Sequence, residues 1–458
     1  MRDLLIDIEP LRTSREFRAI FIARVVSLFG LGMAMVALNL QVYELAGSVQ
    51  IAVVNTIMGI TVLLGSLWGG WMADRTDRRN LIVCARAAAA LAFAGLAANS
   101  FVDEPQMWAI YLCAAWDGLA TGVSVTALMA VAPTLVRPDQ LPAAGALISL
   151  TGEIGSIAAP FLGGVLLALS GPGPVFALAA FTTAITTLLI SRIRSLPPVR
   201  DEEEDEEDSG SPLVAFRFAL RNRVVGGLLL MGCVVAVFNL PMVLIPEMVD
   251  KVFEGGEMTA GLLYTAPAVG AVLVSATSGW INRAAKPGLL LLAAGFGGGL
   301  ATVALGLSGH VVVAFAALAI AGAAGTVYEI LEYALVQHNT PDRLRGRMVS
   351  VLTTQGTTGG MAGDMEAAAV ARWFSPAAAA VLNGAVVAVA AVLIAVLVPG
   401  LRNAVLPQDA DEDEDDTADE DDTAGGPGPH KGPAPGAGPG SPGGGPPAAA
   451  VTAGPTAG

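Results

Sequence analysis

The sequence predicts an all-α membrane protein of twelve transmembrane helices, arranged as two parallel six-helix bundles. Three observations carry this reading. Apolar runs long enough to cross a bilayer recur as far as residue 398, Lys and Arg cluster on alternate connections, and short sequences of the first half return in the second. Composition agrees: of 458 residues, 54% are hydrophobic and 14% charged, against about 25% charged in soluble domains. A conventional soluble enzyme is excluded.

A hydrocarbon core about 30 Å thick takes roughly 20 apolar residues at ~1.5 Å each. Such runs fall at 18–43, 49–73, 81–101, 107–134, 144–169 and 174–192, then at 222–249, 258–281, 288–308, 311–336, 347–371 and 376–398. The first run is too long for the apolar core of a signal peptide, so it is expected to stay uncleaved. Orientation follows from the bases, because positive loops are retained on the cytoplasmic side. With both termini inside, 22 of the 25 Lys and Arg residues sit at or near cytoplasmic ends; only Lys251 and Arg372 fall outside, and Arg24 lies within span 1. Removing or adding one span would scramble that partition.

The formal charge of −15 is misleading. Residues 201–208 and 409–422 together hold 19 of the 40 acids, which leaves 21 acids against 25 bases in the rest. No nucleic-acid surface is implied. The domain plan is therefore a cytoplasmic N-terminus at 1–17, bundles at 18–193 and 218–400, an acidic linker at 194–217, and a tail at 401–458 that is acidic, then rich in Gly, Pro and Ala. Linker and tail read as solvated and disordered. Cys84, Cys113 and Cys233 lie in apolar stretches without redox or metal spacing, and read as small buried hydrophobes. No metal and no cofactor is expected.

The repeat is visible directly. Phe17, Arg18, Arg24, Val25 and Val26 reappear as Phe216, Arg217, Arg223, Val224 and Val225, and Pro138-Asp139-Gln140-Leu141 returns as Pro341-Asp342-Arg343-Leu344. Six spans is an even number, so each half starts inside and the repeats are parallel.

After span 2 the chain reads Gly70-Trp71-Met72-Ala73-Asp74-Arg75-Thr76-Asp77-Arg78-Arg79. This resembles the cytoplasmic signature of the major facilitator superfamily, with Asp77 where a glycine is usual. A carboxylate beside clustered guanidiniums makes charge-assisted bonds that break and re-form as helices move. Gly279-Trp280-Ile281-Asn282-Arg283 looks like a decayed copy. In span 5, Gly155, Ala159, Pro160, Gly163 and Gly164 resemble the signature of the family's antiporters; small residues allow close helix approach and Pro160 bends the helix. The segments Phe17–Arg24, Ala109–Gly118, Val125–Leu128 and Gly346-Arg347 resemble siderophore-exporting and drug-efflux members of the superfamily, over about residues 10–400. The resemblance implies two bundles around a central cavity, a monomer in the cell membrane, and export of a siderophore or similar lipophilic small molecule.

An ionisable group at mid-bilayer costs at least ~2.5–3.5 kcal/mol, so each needs a partner, a wet cavity or a neutral form. Spans 3, 6, 9 and 12 have no acid in their interiors and only Arg86 as a base, whereas Arg24 lies in span 1, Asp117 in span 4, Glu153 in span 5, Glu329 and Glu332 in span 10, and Asp364 and Glu366 in span 11. Asp117 and Glu153, near the middle of their spans, are the first candidates for proton carriage, with Arg24 holding one of them charged. Glu329 and Glu332, with Tyr328 and Tyr333 nearby, are candidates to meet a cationic or catechol-bearing ligand. No P-loop is present, and His310, His338 and His430 are scattered. The expected partners are a small-molecule substrate, protons and the lipid bilayer, and the expected activity is proton antiport by alternating access. A uniporter or importer of the same fold, or a sensor signalling through the acidic tail, are the rival readings.

Overall fold

The computed structural model describes residues 15–73, 75–131, 141–192, 217–219, 221–238, 240–281 and 284–404. These are helical, with no strand among the described residues. Spans 1–6 are Arg15–Ala46, Ser48–Ala73, Arg78–Ser100, Met107–Val131, Leu141–Ser170 and Pro172–Ser191. Span 7 is broken into Arg223–Val237 and Ile245–Lys251 around a short turn of 3-10 helix, Met242–Leu244. Spans 8–12 are Glu257–Ala276, Pro287–Leu307, Val311–His338, Asp342–Trp373 and Pro376–Leu397. The acidic runs at 201–208 and 409–422, Asp74 and Asn282-Arg283 lie outside the described residues.

Local chemistry sets the ends. Gly47 at φ +82° and Gly171 at φ +74° turn the chain within a single residue between spans 1 and 2 and between spans 5 and 6, a backbone region that side chains disfavour. Asp77, where the family signature has glycine, caps span 3: its carboxylate accepts from Arg79 N at 2.9 Å and Asn80 N at 3.4 Å. Asn222 does the same for span 7, accepting from Val224 N at 3.0 Å. Pro241, which lacks an N–H, stands at the break in span 7.

Nine helices among the described residues are long and apolar enough to cross a membrane. Three of the twelve expected spans fall outside that set. Span 4 has the length but carries Trp116, Asp117 and several Ser and Thr residues. Span 11 is polar along its length, with Thr353, Thr354, Gln355, Thr357, Thr358, Asp364 and Glu366. In span 5, several side chains before Ile154 lie outside the described set. Of the candidate site residues, Asp117 lies on the polar span 4, whereas Glu329 and Glu332 lie on span 10, which is one of the nine.

Packing repeats between the halves. Span 1 packs on 5 and 6, span 2 on 4, and span 3 on 4 and 6; span 7 packs on 11 and 12, span 8 on 10, and span 9 on 10 and 12. Adding six to each number of the first set gives the second. Between the halves, span 2 meets span 11 and span 5 meets span 8, pairs that the same operation exchanges. Spans 3, 6, 9 and 12 turn large apolar side chains outward, among them Leu91, Phe181, Leu300 and Leu393. Their surface suits lipid. Cys84 and Cys233 are exposed rather than buried, which corrects the expectation that the cysteines are core residues; on helices facing a bilayer or a cavity, apolar character does not require burial in protein.

The buried side chains form one shared core and two separate ones. Met33–Val42, Ile51, Phe93 and Phe176 of the first half join Ile245, Met248, Leu263 and Leu318 of the second in a single cluster. At the opposite end, Phe17, Leu81, Ile82 and Ile190 form a cluster of first-half residues, and Val225, Leu228, Leu335 and Met348 one of second-half residues. The halves are therefore joined at the end with the tight Gly47 and Gly171 turns and separate at the end that carries Arg75–Arg79.

Losing the Asp77 cap by Asp77→Ala should cost about 1 kcal/mol, whereas Asp77→Gly should cost only a few tenths. Apparent Tm in detergent, followed by tryptophan fluorescence, is the measurement; equal losses for both variants would show that the cap is not the residue's role.

Candidate functional site

A cavity of about 360 Å³ lies along the second half, lined by the break in span 7 and by Tyr328, Glu329, Glu332, Gln355 and Asp364 of spans 10 and 11. Tyr328 is buried and donates its hydroxyl to Glu332 Oε1 at 3.1 Å, one helical turn away. Gly232 of span 7 faces both Glu332 and Gln355, so its lack of a side chain lets these polar groups reach the same wall. Asp364 accepts from Asn55 Nδ2 of span 2 at 2.9 Å, which ties this wall to the first half. The expected group of Tyr328, Glu329 and Glu332 thus comes together, but Tyr333 does not join it: it is 54% exposed, away from the cavity. One residue further along a helix is a rotation of roughly 100°.

The joined end is held by polar contacts that sequence reasoning missed. Tyr43 donates to Asp250 Oδ2 at 2.7 Å, and Asn39 Nδ2 to the Tyr264 hydroxyl at 3.2 Å. Ser48 donates to Glu247, which also receives Lys251 Nζ at 2.7 Å. Glu247 is 7% exposed, so a cation at hydrogen-bond distance offsets its desolvation. Lys251 was visible as an exception to the charge partition; its partner is the reason for it.

The span 5 motif lies at the same junction. Gly155 faces Leu28 and Gly163 faces Met33, both of span 1. Gly164 faces span 8, where a Cβ would stand 2.7 Å from both Glu257 O and Gly261 Cα. Pro160 lies inside the helix, and its carbonyl is 3.0 Å from the Cβ position of Gly261. The two halves therefore touch backbone to backbone through Gly164 and Gly261.

At the separate end, the Arg75 guanidinium sits 4.1 Å from the centre of the Trp71 ring. Arg79 donates to Ser191 O, joining the start of span 3 to the end of span 6, and Arg78 Nε approaches Ala73 O at 3.5 Å. Gly70 has open space where a Cβ would be, so packing does not require glycine there.

Asp117 is 5% exposed, and its Oδ1 has no hydrogen-bond partner among the described residues. Arg24, expected to hold either Asp117 or Glu153 charged, lies on span 1, which packs on spans 5 and 6, whereas Asp117 lies on span 4, which packs on 2 and 3; Arg24 Nε is buried with no hydrogen-bond partner among the described residues. The side chain of Glu153 lies outside the described residues. Among those residues, no group of three His, Cys, Asp or Glu side chains could hold a metal.

The family model described as Major Facilitator Superfamily matches residues 20–364. The chain is 34% identical over 400 residues to the enterobactin exporter EntS of Escherichia coli strain K12, covering 87% of this chain and 95% of the relative. The enterobactin exporter EntS of Shigella boydii serotype 18 matches at 34% over 399 residues, with the same coverage. Among solved structures, the nucleoside transporter NupG superposes with TM-score 0.68 at 13% identity, covering 84% of this chain and 99% of that one. A POT family transporter in complex with 5-aminolevulinic acid gives TM-score 0.67 at 12% identity, covering 85% and 97%.

A side chain at Gly164 must push the halves apart. Overpacking of about 1–3 kcal/mol shifts a two-state equilibrium by a factor of about 5 or more. Gly164→Leu should therefore raise labelling of a Ser48→Cys reporter by a membrane-impermeant maleimide, in a background without the native cysteines. Unchanged labelling would mean that this contact does not close the joined end.

Proposed function

Because this chain belongs to the major facilitator superfamily, we propose that it is a proton-driven antiporter exporting a siderophore or a similar small, lipophilic metabolite by alternating access. Membership makes it a multi-pass membrane transporter and not an enzyme. The finer reading places it in the cell membrane as a monomer with both termini in the cytoplasm. The two bundles, 18–193 and 218–400, rock about the contacts of spans 2, 5, 8 and 11. The separate end, which carries the basic loops, then faces the cytoplasm, and the state described above is open inward.

One observation carries the proposal: Asp364 belongs both to the cavity wall and, through Asn55, to the contact between the halves. A proton or a ligand hydroxyl that engages this carboxylate competes with Asn55 and so weakens the joined end. Tyr328, Glu329, Glu332 and Gln355 offer acceptors and donors for a polyhydroxylated or catechol-bearing solute. The enterobactin relatives support that ligand class. Asp117 and Glu153 are the further proton carriers of the proposal. Burial favours the neutral form of a carboxyl, and a group that lacks a protein partner when charged takes up a proton readily. The register set by Gly155 on Leu28 brings residue 153 to the level of the turn after Arg24, so Arg24 is the base that would hold its charge. Gly70, Asp74, Arg75, Arg78 and Arg79 form the inner latch, and Gly155, Pro160, Gly163 and Gly164 the outer hinge.

One proton moving inward through 100 mV supplies ~2.3 kcal/mol, enough for roughly a fiftyfold gradient of a neutral solute. Inverted vesicles loaded with the purified chain should accumulate a catecholate siderophore when acidified inside, and a protonophore should collapse that gradient. Accumulation indifferent to the protonophore counts against antiport. In Asp117→Asn and Asp364→Asn proteins the accumulation ratio should fall toward one while energy-independent exchange persists; wild-type proton dependence in either variant removes that residue from the coupling.

A further inference from the structure

Two arginines lie inside the first bundle with no ion pair to a carboxylate among the described residues. Arg86 of span 3 donates through Nη1 to Ser27 Oγ of span 1 at 2.9 Å and approaches Thr186 Oγ1 of span 6 at 3.4 Å. Ser27 lies one turn beyond Arg24 on the same helix, and residues three apart share a helix face, so Arg24 stands on the side of span 1 that Arg86 meets. The Nε of each arginine is buried and has no hydrogen-bond partner among the described residues. Ser27 and Thr186 are buried as well. Thr186 donates its own hydroxyl proton to Thr183 O at 2.8 Å, so it offers Arg86 a lone pair.

The depth is also defined. Arg24 stands nine residues into span 1 and Arg86 eight into span 3, about 12–14 Å from the helix starts at the separate end. An arginine does not shed its proton in a protein, so two of them at that depth repel each other and keep unused donors. An Nε and an Nη of one guanidinium present a planar fork that matches a carboxylate or phosphate. A neutral ligand would leave the repulsion in place. An anionic oxygen group removes it and takes up the free N–H donors.

We propose that Arg24 and Arg86, with the Ser27 hydroxyl, form a binding site for an anionic oxygen group of phosphate or carboxylate type, entered from the end where the halves are separate. The group is supplied either by a free solute anion or by the headgroup of an anionic lipid. This site, set among spans 1, 3 and 6, is distinct from the acidic wall on spans 10 and 11, and it stands whether or not that wall binds a siderophore.

The test uses the purified full-length protein and reads thermal unfolding by tryptophan fluorescence. Sodium phosphate is titrated against sodium chloride at matched ionic strength, in detergent and in phosphatidylcholine nanodiscs. A parallel set of nanodiscs contains phosphatidylglycerol. A saturable stabilisation by phosphate identifies a free anion, and one that appears only with phosphatidylglycerol identifies a lipid headgroup; both support the site if the apparent affinity falls about tenfold in Arg24→Gln and Arg86→Gln. Arg86→Lys, which keeps the charge and loses the fork, should weaken binding less, and it serves where a glutamine variant does not fold. Arg402→Gln, an exposed base of the second half, should match wild type. The proposal fails if neither phosphate nor phosphatidylglycerol stabilises wild type more than the Arg24 and Arg86 variants. It also fails if stabilisation appears only after Glu153→Gln, because the chain's own acid would then occupy the pair.

Discussion

A hydroxyl, amide or carboxylate drawn into a bilayer loses water and must find its partner within the protein, and here those partners lie on opposite halves. Tyr43 meets Asp250, Asn39 meets Tyr264, Ser48 meets Glu247, and Asn55 meets Asp364. The carboxylates of this set all belong to the second half, and the first half supplies all the donors. The halves are thus held by bonds that neither can make alone, in register with the backbone contact of Gly164 on Gly261. Where such bonds stop, the shared core stops and the separate cores begin.

The architecture is symmetric but its chemistry is not. Span contacts in the second half repeat those of the first almost pair for pair, as expected of a duplicated unit that must keep its packing to stay folded. Charge has drifted freely by comparison. The first half keeps Arg24 and Arg86 in its interior, whereas the second places Glu329, Glu332 and Asp364 along its cavity. Backbone spacing constrains small residues at crossings, while a polar group is constrained only by having some partner. The two halves therefore differ in the sign of the charge they bury while sharing one packing plan.

The sequence exposed what the bilayer itself dictates: the number of long helices, the acid-free members among them, and the small residues at the span 5 crossing. Tyr328, Glu329 and Glu332 were also legible as a group, because helical spacing puts them on one side of span 10. Contacts over long separations were not. Tyr43 and Asp250 are 207 positions apart, and Asn55 and Asp364 are 309 apart; nothing in either local pattern points to the other. The carboxylate that Arg24 answers was not legible for a related reason, since charge alone offers Asp117 and Glu153 alike, while the order of helices sets span 1 against span 5 and span 4 against spans 2 and 3. Asp77 was readable as a departure from the family glycine, and its capping role emerged only once the start of span 3 was fixed.

A gate between two states is useful only if its strength matches the work available to open it. Side-chain hydrogen bonds between membrane helices average ~0.6 kcal/mol, because the separated groups find other partners. The four bonds between halves among the described residues therefore sum to roughly 2–3 kcal/mol, close to the ~2.3 kcal/mol released by one charge crossing 100 mV. Buried ion pairs in their place would bring large desolvation and interaction terms that are hard to balance against work of that size. Lys251 fits this view, since it answers Glu247 from within the same helix and adds nothing across the junction. Weak, numerous and uncharged on the donor side, these contacts hold the joined end with a total strength of the same order as the work of one charge crossing the membrane.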